Sequence, residues 1–527
     1  PTTGTSMVSR PATGFAPLVD VIGQTVRSVL DYGAEQHPDR VFAIFPETHT
    51  KVTWGEQRQA VARLRPHLTD SGVADGESVG ALMANGRTAL ELFLGCMYSR
   101  RVSLMLNPVA GIDTLGYVIK HSGIRQLFTD DDHADLASAA VIASRQQVKV
   151  HRVAADSGLQ LPETQNHQDT DPPRSTDDAL LIYTSGTTGR PKGVIHTHAS
   201  LLAGGANTCS AHHLRHSDRA LCVLPLCHIN GQVVTVMAPL VSGSSVVMPR
   251  KFSTQRFWHW VVKEDCTWFS VVPTMISYLL GTEEATQHIT ESQLSNIRFG
   301  RSASAPLAPA VHEAFVARFG IPMVETMGIT ETAAQILSNP LDPAQQKIGS
   351  PGLPCGNEIR IRDSEGADCK NEVVGEIEVQ GPNLMRTYLN DEQATREAFS
   401  TDGWYRTGDL GYKDGSGYVY VTGRIKEIII KGGENISPRE IDDVLYRFPG
   451  ILEAAAIAVP DPEYGEDIAA CVVPHPGQQV DENALRDFCI KALGQFKSPK
   501  NIYVLEELPK GPSGKIQRLK LSGDYSR

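Results

Sequence analysis

Short apolar segments alternate with helix-like segments from Val41 to Thr326, and this alternation constrains the fold more than any other feature of the chain. The apolar segments have the length of buried strands, and the segments between them carry apolar residues at helical spacing. The predicted strands are Val41–Phe45, Ser78–Met83, Val102–Leu106, Arg125–Phe128, Leu180–Tyr183, Ala220–Leu224, Ser244–Met248, Thr267–Val271, Ile297–Gly300 and Met323–Thr326. The predicted helices are 24–36, Thr88–Ser99, Gly231–Val241, Gln255–Lys263, Pro273–Leu280 and Ala308–Phe319. Because alternating units of this kind form a parallel sheet covered by helices, the sequence predicts an α/β fold.

The pattern changes at about Gly349, where polar and apolar residues begin to alternate with a period of two. This period is typical of antiparallel strands, which we expect at Ile359–Arg362, Gly375–Val379 and Gly417–Val421. Beyond Arg424 the pattern is that of a small α+β unit of about a hundred residues. Its segments are Ser437–Arg447, Ala454–Val459, Asp467–Val473, Glu482–Leu493 and Ile502–Val504. The expected domains are 1–424, with an antiparallel, barrel-like subdomain at about 350–424, and 425–527.

The chain has 527 residues, of which 41% are hydrophobic and 21% charged, and its net charge is -11. These values are ordinary for a globular protein of more than one domain, and they argue against a nucleic-acid surface. The longest apolar region, Val233–Met248, is interrupted by Pro239 and by Gly and Ser residues. We therefore expect neither a nucleic-acid partner nor a membrane span, while both a monomer and a homodimer stay open.

The nine cysteines are scattered, and none forms a Cys-x-x-Cys pair. This spacing favours buried thiols of a reducing compartment over disulfides or metal ligands. Pro1–Gly14 has no hydrophobic signal core, and Asp524–Arg527 is not a peroxisomal address. We therefore expect a cytoplasmic protein.

The stretch Thr184–Gly193 reads Thr-Ser-Gly-Thr-Thr-Gly-Arg-Pro-Lys-Gly and follows the predicted strand Leu180–Tyr183. Its small residues leave backbone N–H groups accessible to a phosphate, and Arg190 and Lys192 add positive charge. No Gly-Lys-Ser/Thr sequence ends the loop, so it is not a Walker loop. A Gly-rich surface turn is the alternative, and partners elsewhere in the chain decide between the two.

Further segments carry complementary chemistry. Gly328–Glu331 places a hydroxyl and a carboxylate after a strand, a combination that suits a metal–phosphate complex. Asp402–Asp409 ends in an acid that can accept hydrogen bonds from ribose hydroxyls. Gly423–Glu427 and Lys431–Asn435 bring cations and glycine backbone to the expected domain boundary, and Pro509–Lys515 sets a lysine at the end of a Pro/Gly hook.

Together and in this order, these motifs resemble those of the adenylate-forming superfamily, which includes acyl-CoA synthetases, amino-acid-adenylating domains and firefly-type luciferases. The resemblance extends from the helix near residue 24 to Lys515. It implies an acid–thiol ligase that uses ATP, Mg²⁺ and coenzyme A. It also implies a large N-terminal domain of layered sheets with helices, which carries the ATP site, and a small mobile C-terminal domain that rotates over it.

The resemblance implies a role for each matched residue. The β- and γ-phosphates would be held by Thr184, Ser185, Gly186, Thr187, Thr188, Gly189 and Lys192. The adenine would lie against Ser302, Ala303, Ser304, Glu325, Thr326 and Met327. The α-phosphate and Mg²⁺ would be bound by Thr330 and Glu331, and the ribose by Asp409 and Arg424. The catalytic lysine would be Lys515, the hinge Lys426, and the coenzyme A tunnel would be lined by Lys431, Gly432 and Gly433. The candidate catalytic residues are Lys515, Thr330, Glu331 and His228.

Met327 departs from the family pattern, which usually has an aromatic residue at this position of the adenine wall. A thioether lies against a ring through dispersion but gives less than ring stacking. We expect adenine binding to persist with a weaker affinity for ATP.

The acyl pocket is expected at Pro225–Gln232, Val271–Thr274 and Gly300–Ala305, with the candidate residues His228, Asn230, Val272, Pro273, Arg301 and Ser302. Arg301 is expected in a turn, where many relatives have an apolar residue. A buried guanidinium without a partner is unfavourable in a fatty-acid tunnel. One interpretation is that Arg301, His228, Asn230 and Ser302 bind a second anionic group on a short acid. The alternative is that Arg301 points out of the pocket into a structural salt bridge.

The Arg-Ser-x-Ser-Ala turn at Arg301–Ala305 and the later Ser338–Pro340 also resemble the oxalate–CoA ligase branch, which has a second His where this chain has Asn230. Oxalate, malonate-like diacids and sulfonated acids such as sulfoacetate stay open as substrates, and a medium-chain fatty or aryl acid is the rival. An enzyme that loads a carrier protein usually has an Asp for the substrate's ammonium group, and none stands at these turns. A luciferase-like oxidase is disfavoured, because nothing in the sequence indicates a luciferin pocket. A catalytically inactive binding protein is disfavoured because every matched catalytic position is filled.

Overall fold

The structure is a computed structural model that describes residues 18, 20–161, 171–184, 190–282, 289–511 and 514–525. The strands, numbered in chain order, are β1 (Val41–Phe45), β2 (Thr50–Thr53), β3 (Ser78–Leu82), β4 (Val102–Met105), β5 (Gln126–Thr129), β6 (Lys149–Arg152), β7 (Asp178–Thr184), β8 (Lys192–Thr197), β9 (Arg219–Cys222), β10 (Ser245–Val247), β11 (Trp268–Val271), β12 (Phe299–Ser302), β13 (Met323–Ile329), β14 (Ala334–Ser338), β15 (Leu353–Pro354), β16 (Glu358–Arg362), β17 (Gly375–Gln380), β18 (Thr387–Tyr388), β19 (Tyr405–Lys413), β20 (Val419–Arg424), β21 (Ile429–Lys431), β22 (Glu434–Ile436), β23 (Ile451–Asp461), β24 (Gly465–Pro474) and β25 (Asn501–Val504).

The α-helices are α1 (Val26–Gln36), α2 (Trp54–Asp70), α3 (Arg87–Tyr98), α4 (Ile112–Ser122), α5 (Ala134–Ser144), α6 (His198–His212), α7 (Ala238–Ser242), α8 (Phe257–Lys263), α9 (Pro273–Gly281), α10 (Glu291–Leu294), α11 (Pro309–Phe319), α12 (Glu392–Ala398), α13 (Pro438–Leu445), α14 (Glu482–Lys497) and α15 (Arg518–Tyr525). Short 3₁₀ turns lie at Asp131–His133, Thr330–Thr332, Pro343–Gln345 and Ile425–Glu427, and Asn230–Met237 is π-helical.

Two large sheets build the N-terminal part of the molecule. One has nine strands in the order β15-β14-β13-β12-β11-β9-β10-β1-β2, and the other has seven in the order β18-β8-β7-β4-β3-β5-β6. Both sheets contribute to one hydrophobic core with the buried helices α3 and α6, as Ile182, Phe93, Leu201 and Val324 illustrate. The predicted α/β class with layered sheets is therefore confirmed, although the alternation had indicated a single sheet.

Two smaller sheets follow. The strands β16, β17, β19 and β20 form an antiparallel sheet, as the period-two pattern predicts. The strands β21 to β25 form the last sheet, in which β25 pairs parallel to β24, and α13 and α14 pack on a core of its own. Between them, β20 ends at Arg424 and β21 begins at Ile429.

Arg301 lies inside β12 and not in a turn, which corrects the sequence-based expectation. The predicted strand Ile297–Gly300 is shifted to Phe299–Ser302 because both neighbours extend the pairing. Arg301 stands opposite Ser270 of β11 and Val324 of β13. Its side chain is therefore anchored by a central strand.

No helix among the described residues is long and apolar enough to cross a membrane.

Candidate active site

Residues from widely separated parts of the chain, between Leu104 and Lys520, line a cavity of about 1060 Å³. The strands β9, β11, β12 and β13 are parallel neighbours, so their carboxyl ends meet at one edge of the nine-stranded sheet. Ligands of open α/β sheets bind at such edges. Of the predicted site residues, the cavity is lined by Thr184, Lys192, His228, Asn230, Ser304, Thr330, Glu331, Arg424, Lys426 and Lys515. Segments far apart in the sequence thus meet at one place.

The two ends of the predicted phosphate loop are at the cavity. Thr184 and Lys192 stand opposite each other in the antiparallel pair of β7 and β8. The ammonium of Lys192 lies 5.0 Å from the centroid of the Tyr388 ring, within the range of a cation–π contact. The remaining predicted loop residues, Ser185, Gly186, Thr187, Thr188 and Gly189, lie outside the described residues.

Glu331, in the 3₁₀ turn Thr330–Thr332, accepts a hydrogen bond from Tyr388, which in turn contacts Tyr405. The hydroxyl of Tyr388 donates to Oε1 of Glu331 at 3.0 Å and lies 3.2 Å from the hydroxyl of Tyr405. Removal from bulk water raises the pKa of Glu331, although the hydrogen bonds oppose the shift. The carbonyl of Thr330 lies 2.7 Å from Nε2 of His196, whose pKa is lowered to about 4 by burial. Because a carbonyl oxygen can only accept, Nε2–H of His196 is the donor.

Asp409 and Arg424, the two residues expected at the ribose, form an ion pair. They stand opposite each other on β19 and β20, and Nε of Arg424 donates to Oδ1 of Asp409 at 2.9 Å. The carboxylate raises the pKa of Arg424. Asp409 is buried, and only Arg424 of this pair lines the cavity.

Lys515 enters the cavity from a hook of the C-terminal segment. The amide of Gly511 donates to the carbonyl of Lys515 at 2.7 Å, which closes the hook. Gly514 has φ +76° and lies against the β11–α9 turn, where an added Cβ would be 3.1 Å from Cγ2 of Val272. Withdrawal from water, together with the positive charge of Arg424, lowers the pKa of Lys515 to about 8.

A polar cluster joins this hook to the N-terminal part. Nζ of Lys510 lies 2.8 Å from Oε2 of Glu453 and donates to the hydroxyl of Tyr278 at 3.2 Å. The hydroxyl of Tyr278 donates in turn to Oε1 of Glu453 at 3.2 Å. We call Tyr278, Glu453 and Lys510 the latch, because Tyr278 lies in α9 while the other two belong to the C-terminal segment.

The predicted adenine wall is mostly packed behind the cavity surface. The hydroxyl of Thr326 donates to the carbonyl of Ser302 at 2.9 Å, and Oε1 of Glu325 accepts from the amide of Leu307 at 3.1 Å. Burial raises the pKa of Glu325. Among Ser302, Ala303, Ser304, Glu325, Thr326 and Met327, only Ser304 lines the cavity.

Arg301 is buried with neutral partners. Its Nε donates to Oε1 of Gln335 at 3.1 Å, and its Nη1 donates to Oδ1 of Asn230 at 3.2 Å and to Oγ of Ser270 at 3.0 Å. Within the described residues Arg301 forms no ion pair with a carboxylate, so the structural salt bridge considered as an alternative is not there. Burial lowers the pKa of Arg301 to about 9.

Asn230 connects Arg301 to the cavity. The hydroxyl of Ser270 also donates to Oδ1 of Asn230 at 3.0 Å, so this oxygen accepts two hydrogen bonds and the orientation of the amide is fixed. The amide nitrogen of Asn230 and the hydroxyl of Ser302 are buried without a hydrogen-bond partner in the part of the chain that the structure describes. Asn230 and His228 line the cavity, whereas Arg301, Ser302, Val272 and Pro273 do not.

The residues expected at the coenzyme A tunnel lie away from the cavity. Nζ of Lys431 is 2.5 Å from Oδ1 of Asp467 and donates to the carbonyl of Phe496 at 2.9 Å. Gly432 and Gly433 form the turn between β21 and β22, with φ +57° and +85°. Lys426 does line the cavity, in the 3₁₀ turn Ile425–Glu427.

The sequence-based prediction missed Tyr388, Gln335 and the latch residues. Tyr388 is in a two-residue strand that pairs with β8, and Gln335 is in β14, which was not predicted. Isolated polar residues in short strands carry no periodic signal. The polar Gln335 within the apolar run Ala334–Leu337 was the available hint.

A family model described as AMP-binding enzyme matches residues 30–389, and one described as AMP-binding enzyme C-terminal domain matches residues 440–515. The chain belongs to the AMP-binding enzyme family. The sulfoacetate–CoA ligase of Cupriavidus necator is 45% identical over 500 residues, which cover 94% of this chain and 97% of that protein. An oxalate–CoA ligase of Arabidopsis thaliana is 34% identical over 518 residues, with 94% and 97% covered. The structure of ATP-bound MatB from Rhodopseudomonas palustris has a TM-score of 0.86 at 27% identity, and the match covers 95% of this chain and 99% of that chain.

As a member of the AMP-binding enzyme family, the chain is an acid–thiol ligase that uses a carboxylate, ATP and coenzyme A. The magnesium ion that accompanies ATP in this family finds a suitable donor set at Thr330 and Glu331. The carboxylate of Glu331 lines the cavity and forms no ion pair among the described residues, and Mg²⁺ prefers carboxylate and hydroxyl oxygens. When bound, the ion would offset the negative charge of the triphosphate.

Proposed function

We propose that the chain joins coenzyme A to a short carboxylic acid that carries a second anionic group, with sulfoacetate as the first candidate. In the first half-reaction the carboxylate attacks the α-phosphorus of ATP, the bond to the β-phosphate breaks, and an acyl-adenylate and pyrophosphate form. In the second, the thiolate of coenzyme A attacks the acyl carbon and AMP leaves, which gives the thioester. The proton of the thiol passes to solvent.

Different residues of the cavity would bind different parts of the substrates. The loop Thr184–Lys192 would hold the β- and γ-phosphates, and Arg424, oriented by Asp409, would hold the ribose. Ser302–Ser304 and Glu325–Met327 would shape the adenine site, where Ser304 alone reaches the cavity surface. Thr330 and Glu331 would hold the α-phosphate and Mg²⁺.

Lys515 would act on the bond that forms. A carboxylate is a weak nucleophile and is repelled by a polyphosphate, so the two groups must be held together and screened. An ammonium between the carboxylate and the α-phosphate stabilises the negative charge that develops there. Lys515 lines the same cavity as Glu331, Lys192 and Arg424, which supports this assignment.

The observation that carries the substrate assignment is the buried Arg301, whose charge no carboxylate of the described residues offsets. A buried guanidinium costs several kcal/mol unless a negative charge compensates it. Asn230, held by Arg301, has an amide nitrogen without a partner and lines the cavity. An anionic group that accepts from this amide would lie next to the positive charge. His228 and Ser302 would complete the pocket.

The similarity to enzymes named for sulfoacetate and oxalate, two short acids with two anionic groups, supports the same substrate class. A medium-chain fatty acid would leave both Arg301 and the amide of Asn230 without a counterpart. The geometry therefore favours the short acid over the fatty or aryl acid.

We also propose that residues 425–527 form a mobile domain with its hinge at Lys426. In the observed arrangement Lys515 is in the cavity, whereas Lys431, Gly432 and Gly433 are not. Thioester formation would require Lys515 to leave and the turn at Gly432 to approach, and domain motions of this kind complete the catalytic site in kinases and other enzymes. The nine cysteines are all unpaired, which supports a location in the cytoplasm.

The test is an acid screen by ATP–pyrophosphate exchange, followed by detection of the coenzyme A thioester. Sulfoacetate, oxalate, malonate, propionate, hexanoate, decanoate and benzoate are compared at equal concentration. We expect one of the three short dianionic acids to give the highest kcat/KM and a thioester of the corresponding mass. Preference for hexanoate, decanoate or benzoate would contradict the proposal.

A further inference from the structure

Among the residues that the structure describes, the side chains that hydrogen-bond the guanidinium of Arg301 all do so through uncharged oxygen atoms. Its donors reach the amide oxygens of Gln335 and Asn230 and the hydroxyl of Ser270. Gln335, Ser270 and Arg301 have exposed fractions of 0%, 0% and 1%. We call Gln335, Asn230 and Ser270 the neutral cage.

The orientation of Gln335 in this cage is determined by its neighbours. An arginine Nε can only donate, so the atom of Gln335 that faces it must be the oxygen. The same oxygen lies 3.1 Å from Nε2 of His212. Burial holds the pKa of His212 well below its usual range, so this histidine is neutral and carries its hydrogen on Nε2. The amide nitrogen of Gln335 donates to Sγ of Cys355 at 3.4 Å.

A neutral cage fixes the position of a guanidinium without cancelling its charge. Carboxylates at the same positions would satisfy the same hydrogen bonds, but they would pair with the charge at close range in a medium of low dielectric constant. No attraction would then remain for a substrate anion. The side chains of glutamine and glutamate have nearly the same shape. A single amide in β14 therefore decides whether the charge of Arg301 stays uncancelled.

We propose that Gln335 is a positioning residue that holds Arg301 with its charge uncancelled and thereby sets the preference for acids with a second anionic group. This inference rests on the proposed function. Gln335 itself does not line the cavity, and it acts through Arg301 and Asn230. The role differs from packing, because it depends on the charge of residue 335 more than on its shape.

The experiment compares Gln335→Glu with Gln335→Met. The readout is the ratio of kcat/KM for sulfoacetate to that for propionate, an acid of similar size with one anionic group, measured by ATP–pyrophosphate exchange. Gln335→Glu should lower this ratio at least tenfold, because the new carboxylate neutralises Arg301. Gln335→Met, which keeps the charge of Arg301, should change the ratio less than threefold.

Gln126→Glu serves as the matched control, since Gln126 is also a buried strand glutamine that hydrogen-bonds a histidine, His151, at 2.6 Å. It does not line the cavity, and its substitution should leave the ratio unchanged. A merely structural role for Gln335 would lower activity on both acids and the stability together, without changing the ratio. Should Gln335→Glu fail to fold, Ser270→Asp places a carboxylate against the same guanidinium and should give the same loss.

The outcomes separate this inference from the proposed function. If the wild type had no higher kcat/KM for any of the dianionic acids than for propionate, this result would contradict the proposed function. A high wild-type ratio that persists in Gln335→Glu would overturn only the role of Gln335. An equal decrease of the ratio in Gln335→Met and Gln335→Glu would also overturn the role of Gln335. If neither carboxylate variant folds, a decrease of the ratio in Gln335→Met would overturn it.

Discussion

At the scale of single residues, the role proposed for Lys515 would make adenylation depend on the ionisation state of its side chain. Its pKa is lowered to about 8 by withdrawal from water and by Arg424, while Asp409 and Glu427 act in the opposite direction. The ammonium form is present below this pKa and is lost as pH rises through it. We therefore predict that kcat/KM in ATP–pyrophosphate exchange declines above about pH 8. Exchange is the suitable assay because it does not involve the thiol of coenzyme A.

The control for this prediction is Lys515→Arg, because a guanidinium stays charged well above pH 10. The variant is expected to be slower than the wild type and to lack the decline near pH 8. A wild-type profile that stays flat up to pH 10 would show that the charge of Lys515 is not required.

The motifs of the sequence predict candidate residues where the chain brings its chemistry together locally. Thr330 and Glu331, for example, are adjacent in sequence and both line the cavity. Gln335 could not be found in this way, because its partners Arg301 and His212 are 34 and 123 positions away. The sheet order β12-β13-β14 and the packing of α6 on β14 bring these residues together, and a motif does not encode such an arrangement.

At the scale of secondary-structure elements, helix α9 is connected to the C-terminal segment by the latch. The hydroxyl of Tyr278 interacts with both Lys510 and Glu453, and hydrogen bonds to charged groups contribute about 1.5–3 kcal/mol. Tyr278→Phe should therefore weaken the arrangement that holds Lys515 in the cavity. We predict a severalfold lower rate of ATP–pyrophosphate exchange, with an unchanged rate of thioester formation from supplied acyl-adenylate.

Lys500→Gln is the matched control for the latch. Lys500 pairs with Asp461 at 2.6 Å, and both residues belong to the C-terminal segment. Its substitution removes an ion pair without affecting the connection to α9, so both rates should be retained. If Tyr278→Phe slowed both half-reactions equally, the latch would have no specific role in adenylation.

The π-helical segment Asn230–Met237 depends on a close backbone approach at Gly231. A Cβ at this position would lie 2.5 Å from the carbonyl oxygen of Pro225 and 3.0 Å from that of Leu224. Gly231→Ala should therefore displace Asn230, raise KM for the acid and lower the free energy of unfolding by about 1–3 kcal/mol. Chemical denaturation and exchange kinetics measure the two effects.

Gly523→Ala provides the comparison, because Gly523 lies in α15 with no neighbouring atom within 4 Å of an added Cβ. This variant should match the wild type or be slightly more stable. If Gly231→Ala had no more effect than Gly523→Ala on stability and on KM, the close approach would not matter.

The sequence predicted the type of most helices and strands. It predicted their bounds least well where pairing with neighbouring strands determines them. Strand β11 and helix α9 were found close to their observed bounds because their apolar patterns are local. Strand β12 was misplaced because β11 and β13 prolong it through Arg301 and Ser302. Residues 231–237 of the π-helical segment were predicted as part of an ordinary helix, since side-chain periodicity does not distinguish a π-helix over so few residues.

At the scale of the whole molecule, the cavity depends on residues from both the N-terminal sheets and the C-terminal segment. Lys515 and Glu331 both line it, although they lie on opposite sides of the expected domain boundary. The sequence predicted the fold class and the shared site through the order of its motifs. It did not predict that Lys515 is inside the cavity while Lys431 is paired with Asp467, because the relative placement of two folded units leaves no local pattern.

The central claim is that the charge of Arg301 selects an acid with a second anionic group. The direct measurement is the ratio of kcat/KM for sulfoacetate to that for propionate in Arg301→Met, relative to the wild type. A hydrogen bond to a charged group contributes about 1.5–3 kcal/mol. Loss of such an interaction with the substrate corresponds to a decrease of this ratio of roughly ten- to a hundredfold. We predict a decrease of this size with propionate turnover retained. An unchanged ratio, or an equal loss of activity on both acids, would contradict the claim.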